Sequence, residues 1–113
     1  MPDGYCVILT TAGSPEEART LGRGLVESGL VACVQLLPID SIYAWQGKAE
    51  EDAEVLMLLK ARSDRFEAIE AHLLERHSYA TPELVQLDVE QGSAPYLAWI
   101  DEVTGPAAED LSR

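Results

Sequence analysis

Three short segments of the chain hold a thiol, an imidazole, two phenols, an indole and a carboxylate. They are Ala32-Cys33-Val34-Gln35, Ser41-Ile42-Tyr43-Ala44-Trp45-Gln46-Gly47-Lys48, and His77-Ser78-Tyr79 with Pro82-Glu83 behind it. A thiolate and an imidazole are soft and borderline donors that suit copper or zinc far better than magnesium or calcium. Cys33 and His77 are therefore the metal candidates. They stand far apart in sequence, however, and form no CxxC, HExxH or clustered Cys/His set. A buried core thiol is the competing reading of Cys33, and the preferred one of Cys6. Exposure decides between them, because only an accessible thiolate ligates.

Tyr43, Trp45 and Tyr79 either pack at interfaces or wall a cleft. Lys60 closes an apolar run in an acid-rich chain. It reads as a solvated strand end, or as a cation facing the carboxylate or phosphate of a small ligand. Glu50-Glu51-Asp52-Ala53-Glu54 lacks the spaced oxygen ligands and central glycine of a calcium loop and is expected as a solvated hairpin tip. Nothing resembles a nucleophile elbow, a phosphate-cradling glycine loop or a dinucleotide fingerprint, so no enzyme is expected.

The elements that must position these groups belong to a chain of 113 residues, enough for one domain with its own core. Eight Lys and Arg against 20 Asp and Glu give a formal charge of −12. Such a surface repels phosphate backbones, so nucleic acid is a poor partner. The apolar run from Tyr5 to Leu9 is too short for a membrane span or a signal core, and a cytoplasmic protein with reduced thiols is expected.

Tyr5 to Thr10 reads as a strand covered on both faces. Ser14 as cap, Pro15 at the first position and Glu17 three residues after the cap open a helix whose stripe is Ala18, Leu21, Leu25 and Val26. Gly29 ends it. Val31 to Leu37 is a second strand, interrupted near Pro38 by a bulge or an edge and resumed from Ile39 to Trp45. Glu54 to Lys60 is a third strand, pairing with the second as an extended hairpin. Ser63 is expected to cap a second helix carrying Phe66, Ile69 and Leu73 and ending near His77. Leu84 to Val89 is a half-covered strand, and a short helix opens around Ser93 to Tyr96.

That order predicts an α+β, ferredoxin-like βαββαβ domain over residues 1–104 with an extra C-terminal helix and a mobile tail over 105–113. Helices on one face leave the other face of the sheet bare. Several strands are apolar on both faces, so a second subunit must cover it, and a homo-oligomer is expected.

From Cys6 to Thr104 the chain resembles the CutA family of divalent-ion tolerance proteins. Ala32-Cys33-Val34 matches that family's Ala-Cys-Val segment, Ser41 to Gly47 its Ser-Ile-Tyr-x-Trp-x-Gly, and His77 and Tyr79 its His-Pro-Tyr-Glu. Glu54 matches a glutamate near the start of the strand after the hairpin. The resemblance implies a trimer in which Cys33, His77 and Glu54 line one cleft between subunits. The chain departs from the pattern at Gln35, usually asparagine, at Ser78, usually proline, and at Ala80, usually glutamate, which deletes a potential carboxylate ligand.

The expected function is non-enzymatic binding of a divalent transition metal, copper foremost, through Cys33, His77 and Glu54 in ion tolerance. The alternative is a signalling trimer resembling the PII proteins, in which Gln35, Tyr43, Trp45, Lys60 and Tyr79 contact a small effector and no organic cofactor is held.

Overall fold

The computed structural model describes residues 4–105. Strand β1 (Tyr5–Ala12) leads into helix α1 (Pro15–Glu27), followed by strands β2 (Cys33–Trp45) and β3 (Lys48–Arg62). Helix α2 (Phe66–Arg76), strand β4 (Val85–Val89) and helix α3 (Ala94–Thr104) complete the order. The sheet runs β2-β3-β1-β4 and its neighbours are antiparallel. This is the predicted βαββαβ arrangement with a terminal helix.

Both ends of α1 are set by local chemistry. The Ser14 hydroxyl accepts the Glu17 N–H at 3.1 Å, and Pro15 occupies the first turn, where its missing N–H is no loss. At the other end Gly29 has φ +79°. Its N–H bonds Val26 O at 3.0 Å and the next N–H bonds Leu25 O at 3.2 Å, which is a Schellman stop.

Alternation along the strands divides the sheet into two faces. Cys6, Ile8 and Ala12 of β1 and Val55, Met57, Leu59 and Ala61 of β3 are buried on one face. Leu21 and Leu25 of α1 and Ile69 and Leu73 of α2 close the core over them. Gly22 lets α1 approach closely, since a Cβ there would stand 3.1 Å from Val34 Cγ1.

The opposite face carries Tyr5, Val7 and Leu9, with Leu56, Leu58 and Lys60 beside them and Cys33, Gln35 and Leu37 on β2. Helix α3 crosses one end of this face instead of leaving it wholly bare. Tyr5 Oη donates to Asp101 Oδ2 at 2.6 Å, and Lys60 Nζ lies 5.7 Å from the centre of the Tyr96 ring. The buried Arg65 guanidinium fixes the helix end by donating to Thr104 O at 2.5 Å and Gly105 O at 3.0 Å. Elsewhere Leu37 and Leu87 remain about half exposed.

Three expectations change. Pro38 neither interrupts nor bulges β2; of the two readings the edge holds, because β2 runs unbroken as an edge strand, which tolerates a residue without an N–H. The acidic stretch is not a hairpin tip. Gln46 and Gly47, with φ 50° and 79°, make the whole turn as a two-residue type I′ loop. The strands therefore zip at once, pairing Tyr43 with Glu50 and Ile39 with Glu54. Ser63 does not cap α2: it opens a 3₁₀ turn, Ser63–Arg65, and α2 begins without a side-chain cap. The Ser63 N–H goes to Gly4 O at 2.8 Å and its hydroxyl bonds the Cys6 thiol.

The last β1–β3 pair is Ala12 with Val55, so beyond it β2 and β3 pair only with each other. They form a two-stranded arm on which Ile42 is 72% and Trp45 58% exposed. The expected tail lies, from residue 106 on, outside the described residues.

Candidate functional site

Helix α2 ends where His77 turns extended, with φ −76° and ψ 142°. The reversal carries its ring inward, against the end of β1, where the side chain is fully buried. Nε2 lies 2.7 Å from Thr11 O, a carbonyl that can only accept, so the ring proton sits on Nε2. Nδ1 then accepts the Tyr79 N–H at 3.0 Å. Both ring nitrogens are thus engaged.

Tyr79 follows, its ring 4.8 Å from that of His77 and tilted by 43°. Its hydroxyl donates to Glu54 Oε2 at 2.8 Å. Gly13 makes room for the phenol, because a Cβ there would stand 3.1 Å from Tyr79 Oη. On the arm, the Tyr43 hydroxyl donates to Asp52 Oδ2. Asp52 and Glu54 alternate along β3 and so share a face.

Glu17 closes the cluster from the first turn of α1. Oε2 accepts the Ser78 N–H at 2.8 Å, Oε1 accepts the Ser78 hydroxyl at 3.0 Å, and Oε1 also takes the Gly13 N–H at 3.3 Å. Oε2 stands 3.6 Å from His77 Nδ1.

These surroundings shift several protons. Burial alone would raise the Glu17 carboxyl, but the Ser78 backbone and hydroxyl bonds, the Gly13 N–H and the nearby imidazole together hold it below its usual range. Burial, then the bond to Glu54 and that carboxylate's charge, push the Tyr79 phenol up to about 12. The bond to Asp52 is the first cause pushing Tyr43 up to about 12, with burial and the charges of Asp52, Glu50 and Glu54 behind it. The site is a proton-retaining one in which phenols donate to carboxylates.

The fold therefore brings His77, Tyr79 and Glu54 together at the base of the arm, with Tyr43 beside them. Cys33, Gln35 and Lys60 share the sheet face but not the place. Cys33 pairs with Lys60, whereas Glu54 pairs with Ile39 further up the same ladder. At ~3.3 Å per residue that separates Cys33 from Glu54 by about 20 Å within one chain. Trp45 lies at the arm tip, opposite Lys48. Cys33 is partly exposed, unlike the core thiol Cys6.

Among the described residues no three His, Cys, Asp or Glu side chains converge to hold an ion. Glu54 already accepts the Tyr79 phenol, and His77 ligates only if one of its two bonds is released.

Glu17, Ser78, Asp52 and Tyr96 were not legible as site residues in the sequence. Glu17 reads there as a helix-capping residue, and nothing local marks its reach to a residue some sixty positions on, |i−j| = 61. Asp52 lies within a uniformly acidic run. The pairing of Tyr96 with Lys60 depends on where α3 lands.

The family model of the CutA1 divalent ion tolerance protein matches residues 6–103. Protein CutA of Homo sapiens is 38% identical over 99% of this chain. The chain spans 63% of that human relative's length, and 59% of the mouse relative's. The divalent-cation tolerance protein CutA of Thermus thermophilus is 42% identical, over 88% of this chain and 97% of its own length. The solved structure of the divalent cation tolerance protein from Thermus thermophilus superposes with a TM-score of 0.87 at 41% identity, covering 89% of this chain and 99% of that one. A structure from Archaeoglobus fulgidus, described as a periplasmic divalent cation tolerance protein CutA, gives a TM-score of 0.87 at 38% identity, covering 88% and 98%. With 98 of its residues (6–103) matched by the family model and relatives of this identity along nearly its whole length, the chain belongs to the CutA1 divalent ion tolerance family.

Proposed function

We propose that the protein is a non-enzymatic homotrimer that binds a divalent transition metal, copper foremost, in ion tolerance. Its cleft between subunits joins the Glu54–Tyr79–His77 cluster of one chain to Cys33 of another. The observation that carries this reading is the separation of those groups on one incompletely covered sheet face. Within a chain they stand about 20 Å apart, so only a neighbouring subunit unites them. The names of the Thermus and Archaeoglobus relatives support the ion-tolerance part.

The exposed face supports the oligomer. Leu37, Val85 and Leu87 are about half exposed on it, and a two-stranded arm has marginal stability unless something packs on it. A cytoplasmic setting keeps both cysteines as free thiols, which ligation by Cys33 needs.

Calorimetric titration of reduced, metal-free protein with copper and zinc tests the proposal, beside Cys33→Ala, His77→Ala and Glu54→Gln. Excess magnesium masks diffuse binding to the acidic surface. Saturable binding per subunit that these variants weaken is the expected result. Binding that none of them changes rejects the site.

One observation favours a second reading, a PII-like trimer holding a small organic anion. Lys60 stands over the Tyr96 ring, Tyr96 packs on Trp99 with centroids 5.6 Å apart, and Cys33 and Gln35 lie beside them on the same face. A cation framed by aromatic rings suits a planar carboxylate or a phosphate ester. Tryptophan quenching by such a ligand that survives Cys33→Ala but not Lys60→Ala selects this reading over the metal one.

A further inference from the structure

The turn that carries His77 and Tyr79 has few internal ties of its own. His77 N–H bonds back to Leu73 O at 2.8 Å, ending α2, and beyond Tyr79 the chain runs Ala80-Thr81 without regular structure. Its outer residues are tied to the sheet, His77 to Thr11 O and Tyr79 to Glu54, and its middle residue is held from α1. One Glu17 carboxylate oxygen takes the Ser78 N–H and the other takes the Ser78 hydroxyl, at 2.8 and 3.0 Å. The same carboxylate takes the Gly13 N–H at 3.3 Å, next to the glycine-made space that the Tyr79 phenol fills. Glu17 therefore touches, through one side chain, both walls of the slot in which Tyr79 reaches Glu54.

We propose that Glu17 and Ser78 are positioning residues, a two-point latch that fixes the His77–Tyr79 turn so that His77 Nδ1 keeps the Tyr79 N–H and the Tyr79 phenol faces Glu54. This deepens the metal-binding reading and rests on it only for the ligand. A glutamate in the first turn of a helix is stabilised there by the helix dipole, so the latch is anchored on a rigid element. Two charge-assisted bonds to consecutive donors of one residue also fix direction, which a single bond does not.

The latch competes with the imidazole. Glu17 Oε2 lies 3.6 Å from His77 Nδ1 and is turned instead to the Ser78 N–H. This leaves Nδ1 to the Tyr79 N–H, the bond that sets the orientation of the following phenol. Without the carboxylate, Ser78 is released and the turn is left to the Tyr79 N–H bond to His77 Nδ1 and the phenol bond to Glu54.

The test uses full-length, metal-free protein labelled with ¹⁵N. Nitrogen shifts of the His77 ring and hydrogen exchange of the Tyr79 amide are recorded for wild type, Glu17→Ala, Ser78→Ala, Ser78→Pro and the Glu17→Ala/Ser78→Pro double variant. Ser28→Ala is the control for stability, because it removes the hydroxyl bond to Leu25 O at the far end of α1 without touching Glu17 or the turn. His77 at ψ 142° already has the extended backbone that a following proline requires.

Glu17→Ala is expected to shift the His77 nitrogens and to speed Tyr79 exchange by about tenfold or more, the loss of at least one charge-assisted bond. Ser78→Ala gives the same change in smaller measure, Ser28→Ala gives none, and Ser78→Pro, which stiffens the turn without a latch, makes the Glu17→Ala effect small. Unchanged His77 and Tyr79 signals in folded Glu17→Ala overturn the latch, as does an equal change in Ser28→Ala. Zinc and copper titrations follow on the same samples. Wild type that binds neither metal, with the spectral changes intact, leaves the latch standing and removes the metal reading. Metal binding that is unaltered in Glu17→Ala overturns the positioning role.

Discussion

The Tyr79 phenol donates to Glu54 Oε2 across 2.8 Å and thereby fastens the turn after α2 to the strand that enters the β2–β3 arm. This bond is the junction between the compact body and its extension. Glu54 lies one residue beyond the last β1–β3 pair, where the ladder narrows to two strands. Body and arm are thus tied at the point where sheet pairing alone stops holding them.

Tyr79→Phe removes that tie while keeping the ring, and is expected to destabilise the protein by about 1 kcal/mol, the usual net value of such a bond. Urea unfolding at fixed protein concentration measures it. The phenol also titrates late, being pushed up to about 12 from an ordinary value of 10.0. A proton held more tightly in the folded state contributes stability that is complete below the unfolded value. It is lost as pH climbs through the folded one. Ultraviolet difference titration should show one tyrosine per chain ionising earlier in Glu54→Gln than in wild type.

Glu17 titrates in the opposite sense. Its carboxyl is held below the ordinary 4.5, against the upward push of burial, by Ser78, Gly13 and His77. A lowered acid contributes stability that is present above the unfolded value and lost as pH falls through the folded one. The melting temperature should therefore fall on acidification below about pH 5, less steeply in Glu17→Gln than in wild type.

Gly47→Val tests the arm turn. Gly47 has φ +79° as the second residue of a type I′ loop, a conformation that a β-branched residue resists. The substitution should cost about 1–2 kcal/mol and raise exchange of the amides on the arm before those of the body.

Leu87→Glu addresses the open sheet face. The side chain is 51% exposed in a single chain, so a charge there leaves the isolated fold intact. If that face is an interface between copies, burying an unpaired carboxylate there is strongly unfavourable. Light scattering after size exclusion should then report a monomer for Leu87→Glu and a trimer for wild type. A trimer that survives places the interface elsewhere.

The two thiols should separate by reactivity. Burial pushes the Cys6 thiol up to about 11, with the Ser63 bond opposing and Asp88 and Asp64 adding to the rise. Iodoacetamide at neutral pH is expected to leave Cys6 unmodified until denaturant is added, with mass spectrometry locating any native-state label at Cys33.

Much of this architecture was legible in the chain because its causes are local. Ser14, Pro15 and Gly29 bound α1 through bonds within a few residues, and the continuous apolar runs mark β1 and β3 as strands, although only the packing of α1 and α2 decides which of their faces enters the core. The Gln46-Gly47 pair specifies a tight turn, but a turn does not show how far its strands stay paired. The backbone of an acidic run pairs readily while its side chains stay in water, so Glu50 to Glu54 is strand. Ser63 departs from the expected cap for a related reason: its hydroxyl meets Cys6, a partner brought close only by the fold.

Residue types along the chain also determined which donors exist, and the family segments around Cys33, Trp45 and His77 marked where to look. The tertiary structure alone decided how those donors are used. Thr11 O and the Tyr79 N–H occupy the His77 nitrogens, Glu17 crosses to Ser78, and the β2–β3 register holds Cys33 away from Glu54. Most of these are contacts between residues distant in sequence. Their geometry depends on strand register and helix placement, which follow from packing the whole core and from no short segment of it.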